Sequence, residues 1–216
     1  MDIVTLSFSQ NTKAIKNNSF QIAEMIEEVI EKPVRHINIR DYHIMPCHLC
    51  GDCANSHTCE IDGAFKRLLV DIGNPDLLFM VVPYYSPFPS KLMIFFEKLN
   101  EIFYSAWMND QTYIHPLQKT PVGLIVHGGL VSSKEVINHY KVMMNRPITH
   151  TLKGLGFKVV EDDELYKNGF ALGIENESCI KGVKKEVFPL VSHRDDYIKQ
   201  TIKSYVDFVI KEVTHI

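Results

Sequence analysis

A doubly wound α/β fold is what this sequence predicts, and three observations predict it. Strand-length apolar segments alternate with segments of helical periodicity along the chain. Leu77–Pro83, Leu-Leu-Phe-Met-Val-Val-Pro, is apolar almost without interruption, which suits a strand covered on both faces of a parallel sheet. No Pro/Gly/Ser-rich linker and no internal repeat divides the 216 residues, so a single domain over 1–216 is the simplest organisation.

The elements follow in order. Residues 3–8 form the first strand. Residues 19–31 place Ile22, Ile26 and Val29 on one helical face, with Ala23 and Ile30 beside them. Pro33 stops that helix, and 34–39 reads as the second strand. A cysteine-rich loop at 46–62 comes next. Gly63–Ile72 is a helix, Leu77–Pro83 the third strand, and 91–103 a helix rich in Phe and Leu. Residues 122–126 form the fourth strand. Ser132-Ser-Lys-Glu135 resembles a capping box that opens a helix ending near Gly154 and Gly156. The fifth strand is 157–161, and 163–191 has no assignable pattern. A last helix begins near Ser192 and carries Ile198, Ile202, Tyr205, Val209 and Val213 as a stripe. In such sheets ligands sit outside the carboxyl ends of the strands, here the loops 9–18, 40–62, 84–90 and 127–133.

Composition narrows the partners. A hydrophobic share of 45% with 23% charged residues is ordinary for a soluble globular chain. A net charge of −3 gives no field to attract nucleic acid or acidic membranes. No apolar run is long enough to span a bilayer. The N-terminus lacks a basic region before its apolar stretch and reads as a strand, not a signal peptide. The expected compartment is the cytoplasm, where thiols stay reduced unless they bind metal or cycle.

The ligand-edge loops have distinct chemistry. The first contains no glycine, and the first glycine in the chain is Gly51, which excludes a G-x-G-x-x-G or G-x-x-x-x-G-K loop at its usual place. It offers Ser9, Asn11, Thr12, Asn17, Asn18 and Ser19, followed by Phe20 in the opening turn of a helix. Backbone N–H groups and the helix dipole there favour an anion, such as a phosphate monoester. The plainer alternative is that Asn18 or Ser19 caps the helix. The third strand ends in Pro83, Tyr84, Tyr85, Ser86, Pro87 and Phe88, a stiff aromatic wall for a flat ligand or a surface loop packed by its own rings. The fourth ends in His127, Gly128 and Gly129, where the backbone can approach a planar ligand or simply turn. Together these loops fit a flat aromatic phosphate ester, and FMN is the candidate.

Cys47, Cys50, Cys53 and Cys59, spaced C-x2-C-x2-C-x5-C, are four of the five cysteines and fall within 13 residues. Thiols this dense can wrap a metal centre, cycle as a dithiol or pair as disulfides. Zinc normally takes two separate C-x2-C knuckles, whereas Cys50 is shared between two. Cys179 stands alone.

On these residues the chain resembles the flavodoxin-like NAD(P)H-dependent FMN reductases, in particular their iron–sulfur flavoprotein branch. The resemblance covers roughly residues 1–130. It rests on Phe8-Ser9 with Asn18-Ser19, and on Pro46-Cys47-x-x-Cys50-x-x-Cys53 with Cys59 and Asp62. Pro83-x-Tyr85 with Ser90 and Leu92, and Gly128-Gly129, complete it. Asn17 stands where the family usually has glycine, and Met-Ile-Phe-Phe-Glu-Lys at 93–98 replaces its usual K-x-F-x-D-R. The resemblance implies a flavodoxin-like three-layer sandwich with a five-stranded parallel sheet ordered 2-1-3-4-5. It implies FMN held by Ser9, Asn11, Asn18, Ser19, Phe20, Pro83, Tyr84, Tyr85, Ser86, Phe88, Gly128 and Gly129. It also implies NAD(P)H as electron donor, a homodimer or homotetramer, and a 4Fe–4S cluster on Cys47, Cys50, Cys53 and Cys59. Three functions follow as expectations: an FMN-dependent NAD(P)H oxidoreductase, an iron–sulfur electron carrier with a ferredoxin-like partner, or a zinc-holding binding module.

Overall fold

The structure is a computed structural model, and it describes residues 1–11, 17–175 and 195–214. Thr12 and Cys179 lie outside the described residues. Six strands form one parallel sheet: β1 (Ile3–Ser7), β2 (Arg35–Asn38), β3 (Leu77–Pro83), β4 (Pro121–Val131), β5 (Lys158–Val159) and β6 (Phe170–Glu175). The order is β2-β1-β3-β4-β5, as expected, with β6 also paired to β4.

Helices cover both faces because strand side chains alternate. Ile3, Leu77, Phe79, Val81 and Ile125 pack against α1 (Asn18–Ile30) and α7 (Asp195–Thr214) through Ile22, Ile26, Ile202, Val206 and Val209. Val4, Leu6, Leu78, Met80, Val82, Leu124 and Val126 face the other way. There they meet α3 (Gly63–Ile72), α4 (Ser90–Asn109) and the helical stretch after β4. Every residue of β3 is buried, which explains its unbroken apolar run.

The fifth sheet position departs from expectation. It is filled by two short strands, not one. β5 pairs with Pro121 and Val122 of β4, and β6 pairs with β4 from Ile125 onward. Between them the Leu124 N–H has no strand partner, and it donates to Tyr205 Oη of α7 at 3.0 Å. The chain re-enters the sheet through Gly169, at φ +86°, where an added Cβ would lie 2.8 Å from the Leu124 carbonyl oxygen. Only glycine suits that approach. The buried Asn145 donates from Nδ2 to the carbonyls of Asn168 and Phe170, fixing the entry to β6. Sequence reading left 163–191 unassigned because β6 is short and follows an irregular insertion.

The helical stretch after β4 also differs in detail. It comprises α5 (Lys134–Tyr140), a π-helical turn (Lys141–Asn145) and α6 (Arg146–Gly154). Pro147 lacks an N–H and its ring crowds the carbonyl four residues back, so the helix widens just before it. Ser133, not Ser132, is the N-cap, accepting from the Val136 N–H at 3.3 Å.

Tyr205→Phe removes the only hydroxyl that meets the Leu124 N–H and leaves a buried donor unpaired. It is expected to cost about 1–3 kcal/mol in urea unfolding. An unchanged midpoint and slope would show that the donor finds another partner.

Candidate functional site

The ends of β1, β3 and β4 and the start of α1 converge at the carboxyl edge of the sheet. Asn17 is the N-cap of α1: its Oδ1 accepts from the Phe20 N–H at 3.0 Å. The cap is therefore one residue before Asn18 and two before Ser19, the sequence candidates. Its Nδ2 is buried and has no hydrogen-bond partner among the described residues. Asn18 and Ser19 open the helix itself. Ser9 is buried; its Oγ lies 3.1 Å from Tyr85 Oη and accepts from the Asn11 N–H at 3.3 Å. Arg40, beyond β2, donates to the Asn11 carbonyl at 2.8 Å. Phe20 turns aside, its ring edge-on to His36 at 5.7 Å.

The aromatic wall divides its work. Tyr84 and Phe88 pack onto the core, and Tyr85 alone of the three is exposed. The Tyr84 ring lies 5.3 Å from that of Tyr140, and its Oη lies 3.2 Å from His139 Nε2. The Tyr84 N–H donates to the His127 carbonyl, and Tyr85 N–H to the Pro87 carbonyl, both at 2.8 Å. Pro83 ends β3 opposite His127, and Ser86 is exposed.

Gly128 and Gly129 lie within β4, not in a turn, at a register shift against β6. A Cβ at Gly128 would fall 2.1 Å from Tyr140 Oη, so the missing side chain makes room for that ring. At Gly129 an added Cβ would meet nothing within 4 Å. His127 is buried, and its Nε2 lies 2.7 Å from Ser19 Oγ. Its Nδ1 has no partner among the described residues. Burial alone pushes the imidazole down from its usual value near 6.5 to about 3. His115, packed on Phe103 and accepting the Leu117 N–H at Nδ1, is pushed down to about 4 by burial first and then by His57.

The cysteine loop is ordered by its own chain. Few large apolar side chains lie between Pro46 and Asp62 to pack its interior. Instead α4 holds it: Glu97 accepts the Cys47 N–H at 3.1 Å, and Asn109 Nδ2 donates to the Ala54 carbonyl at 3.4 Å. Cys53 opens a single helical turn, α2 (Cys53–Ser56), and burial pushes its thiol up. Asp62 caps α3 through the Phe65 N–H at 3.0 Å and accepts the Met45 N–H at 2.8 Å. Lys98 of α4 is 2% exposed; its Nζ lies 3.2 Å from Asp62 Oδ2 and 3.3 Å from Cys59 Sγ. Burial opposes both charges. Hydrogen bonds prevail, holding Asp62 below the usual carboxylate range and Lys98 above the usual ammonium value. Sequence reading missed this pair, although Lys98 sits at the edge of the apolar stripe of Leu92, Phe95, Leu99 and Ile102.

All four cysteines are free, and together with Lys98 they line one cavity of about 20 Å³. That is room for about one water molecule. Among the described residues no three Cys, His, Asp or Glu groups are placed to hold one metal ion. A cubane cluster needs four thiolates around a far larger volume. The arrangement does not fit a 4Fe–4S cluster or zinc, and free thiols are what the loop presents. The carboxyl edge at the start of α1 is different: a buried amide with no partner among the described residues, at a helix N-terminus, and the exposed Tyr85 ring, hydrogen-bonded to Ser9, fit a flavin phosphate ester.

Strand order and layering define the flavodoxin-like class of doubly wound fold. No family model matches the chain, and no curated protein matches it in sequence. Solved structures resemble it in fold. One is RosB with bound 8-demethyl-8-formylriboflavin-5'-phosphate, at 12% identity and TM-score 0.60, covering 100% of this chain and 79% of that one. A flavone reductase matches at 12% identity and TM-score 0.56 over 100% of this chain, which spans 65% of its length. An NADH:FMN oxidoreductase in its apo form matches at 17% identity and TM-score 0.52, over 97% and 89% of the two chains. Among the described residues no helix is long and apolar enough to cross a membrane.

Two measurements test this description. Gly128→Ala is expected to drive its methyl into the Tyr140 ring and cost about 1–3 kcal/mol, whereas Gly129→Ala stays within about 0.5 kcal/mol. Equal effects would contradict the placement of Tyr140. The second concerns acid. The unfolded chain takes up a proton on His115 near 6.5 but the folded chain only near 4, so this stability is present above 6.5 and lost as pH falls. The stability difference between wild type and His115→Phe is expected to shift against wild type by about 2–3 kcal/mol between about pH 7 and about pH 4.5. A pH-independent difference would show that the ring titrates normally.

Proposed function

We propose that this protein is an FMN-dependent oxidoreductase that takes electrons from NAD(P)H and passes them to an acceptor. The observation that carries the reading is the buried, unpartnered Asn17 amide at the N-terminus of α1, at the β1/β3 switch point where this fold class places FMN. The likeness in fold to flavin-associated proteins supports it. Bound FMN would supply hydride acceptance and release, chemistry that needs no acid–base side chain from the protein.

The chain's own residues bind and orient. The Asn17 amide and the first N–H groups of α1 receive the phosphate, with the Ser9 and Ser19 hydroxyls on either side. Tyr85, tied to Ser9 through its hydroxyl, offers an exposed ring against which the isoalloxazine stacks. Tyr84 and Phe88 anchor that loop to the core, and Gly129 leaves the β4 side open. The outer face of α4 exposes Met93, Tyr104, Trp107 and Met108, which supports a homodimer or homotetramer.

Flavin titration tests the reading. FMN is expected to bind at least about tenfold more tightly than riboflavin, since even one hydrogen bond to a charged group is worth about that much. NADH or NADPH should then bleach the flavin absorbance. Absence of flavin binding, or FMN and riboflavin binding alike, would sink the proposal.

A further inference from the structure

We propose that His127 is a positioning residue that turns the Ser19 hydroxyl outward as a donor to the phosphate of the bound flavin; this rests on the FMN reading above. The pair joins β4 to the first turn of α1. His127 is fixed in β4 opposite Pro83, and its carbonyl accepts the Tyr84 N–H. Ser19 is in the first turn of α1, two residues past the cap. Both side chains are buried, and Nε2 lies 2.7 Å from Oγ.

The proton inventory decides the direction. A neutral imidazole carries one N–H. If it sits on Nδ1, that donor is buried with no partner, and the Ser19 proton must point back at Nε2. An orphaned buried N–H is among the rarest features of folded proteins. If it sits on Nε2, it donates to Oγ, and Nδ1 keeps only a bare lone pair. The Ser19 O–H then cannot point at the ring and is free to face the N-terminus of α1. Nε2–H to Oγ and O–H to a phosphate oxygen run in one direction, and each polarises the next. His127 is therefore not placed to contact the isoalloxazine; its effect reaches the ligand through Ser19.

The test compares FMN with riboflavin, which lacks the phosphate. His127→Phe is expected to weaken FMN binding about tenfold while riboflavin affinity stays within about twofold. His127→Gln keeps an N–H near the Nε2 position and is expected to restore most of the FMN affinity. Ser19→Ala should lose about as much alone as in the double variant with His127→Phe, because the two act as one unit. Equal losses for FMN and riboflavin in His127→Phe, or additive losses in the double variant, would overturn the inference and leave a structural role. Nitrogen-15 NMR of histidine in the wild type does not depend on any variant folding: the Nε2–H tautomer is expected, and the Nδ1–H tautomer overturns the proposal. A wild type that discriminates FMN from riboflavin, with no change in His127→Phe, defeats this inference alone. A wild type that does not discriminate defeats it together with the FMN reading.

Discussion

From Val122 to Gly128 β4 is buried, and the donors and acceptors along its outer edge there must be matched. No single strand does this. β5 serves two residues, β6 serves the far half, and a phenol from α7 serves the N–H left between them. The arrangement lets β4 extend to Val131, beyond the reach of β3, whose last pairing is Pro83 with His127. β4 thus brings His127 and, past the last β3 pairing, Gly128 and Gly129 to the carboxyl edge of the sheet. The site thus depends on how an internal edge is closed some distance away.

A second polar arrangement organises the cysteine loop. Few large apolar side chains lie between Pro46 and Asp62, so packing alone does not order it. Asp62 caps α3, holds the Met45 N–H and meets the Lys98 ammonium. Removing either member of such a buried pair leaves an uncompensated charge, which typically costs about 3–5 kcal/mol. The ammonium beside Cys59 also fills the space from which a metal cluster would draw a ligand.

Much of the fold was legible because it follows from periodicity. The unbroken apolar run of β3 and the stripes of α1 and α7 each have one structural solution. What escaped notice was long-range. β6 has no signature of its own, since its existence follows from an unpaired edge on β4. Gly128 could be read as room for a ligand, yet the ring it accommodates belongs to Tyr140, on the next helix. Asn17 was listed among the polar residues of its loop, but its role as cap and the orphan amide that results are geometric facts. The Ser19–His127 contact spans 108 residues of sequence, and no local pattern announces it.

The Tyr205 contact with Leu124 also has a meaning in time. The two residues are 81 positions apart, and α7 is the last described element of the chain. A ribosome that delivers residues in order completes β1 to β4 well before α7 leaves the exit tunnel. Until then, among the described helices only α1 covers the face of the sheet that carries Phe79, Val81 and Ile125, and the Leu124 N–H lacks its phenol. The nascent protein can pair all six strands before that face is covered. Covering it waits for α7, and in that interval the chain depends on whatever shields exposed apolar surface in the cell.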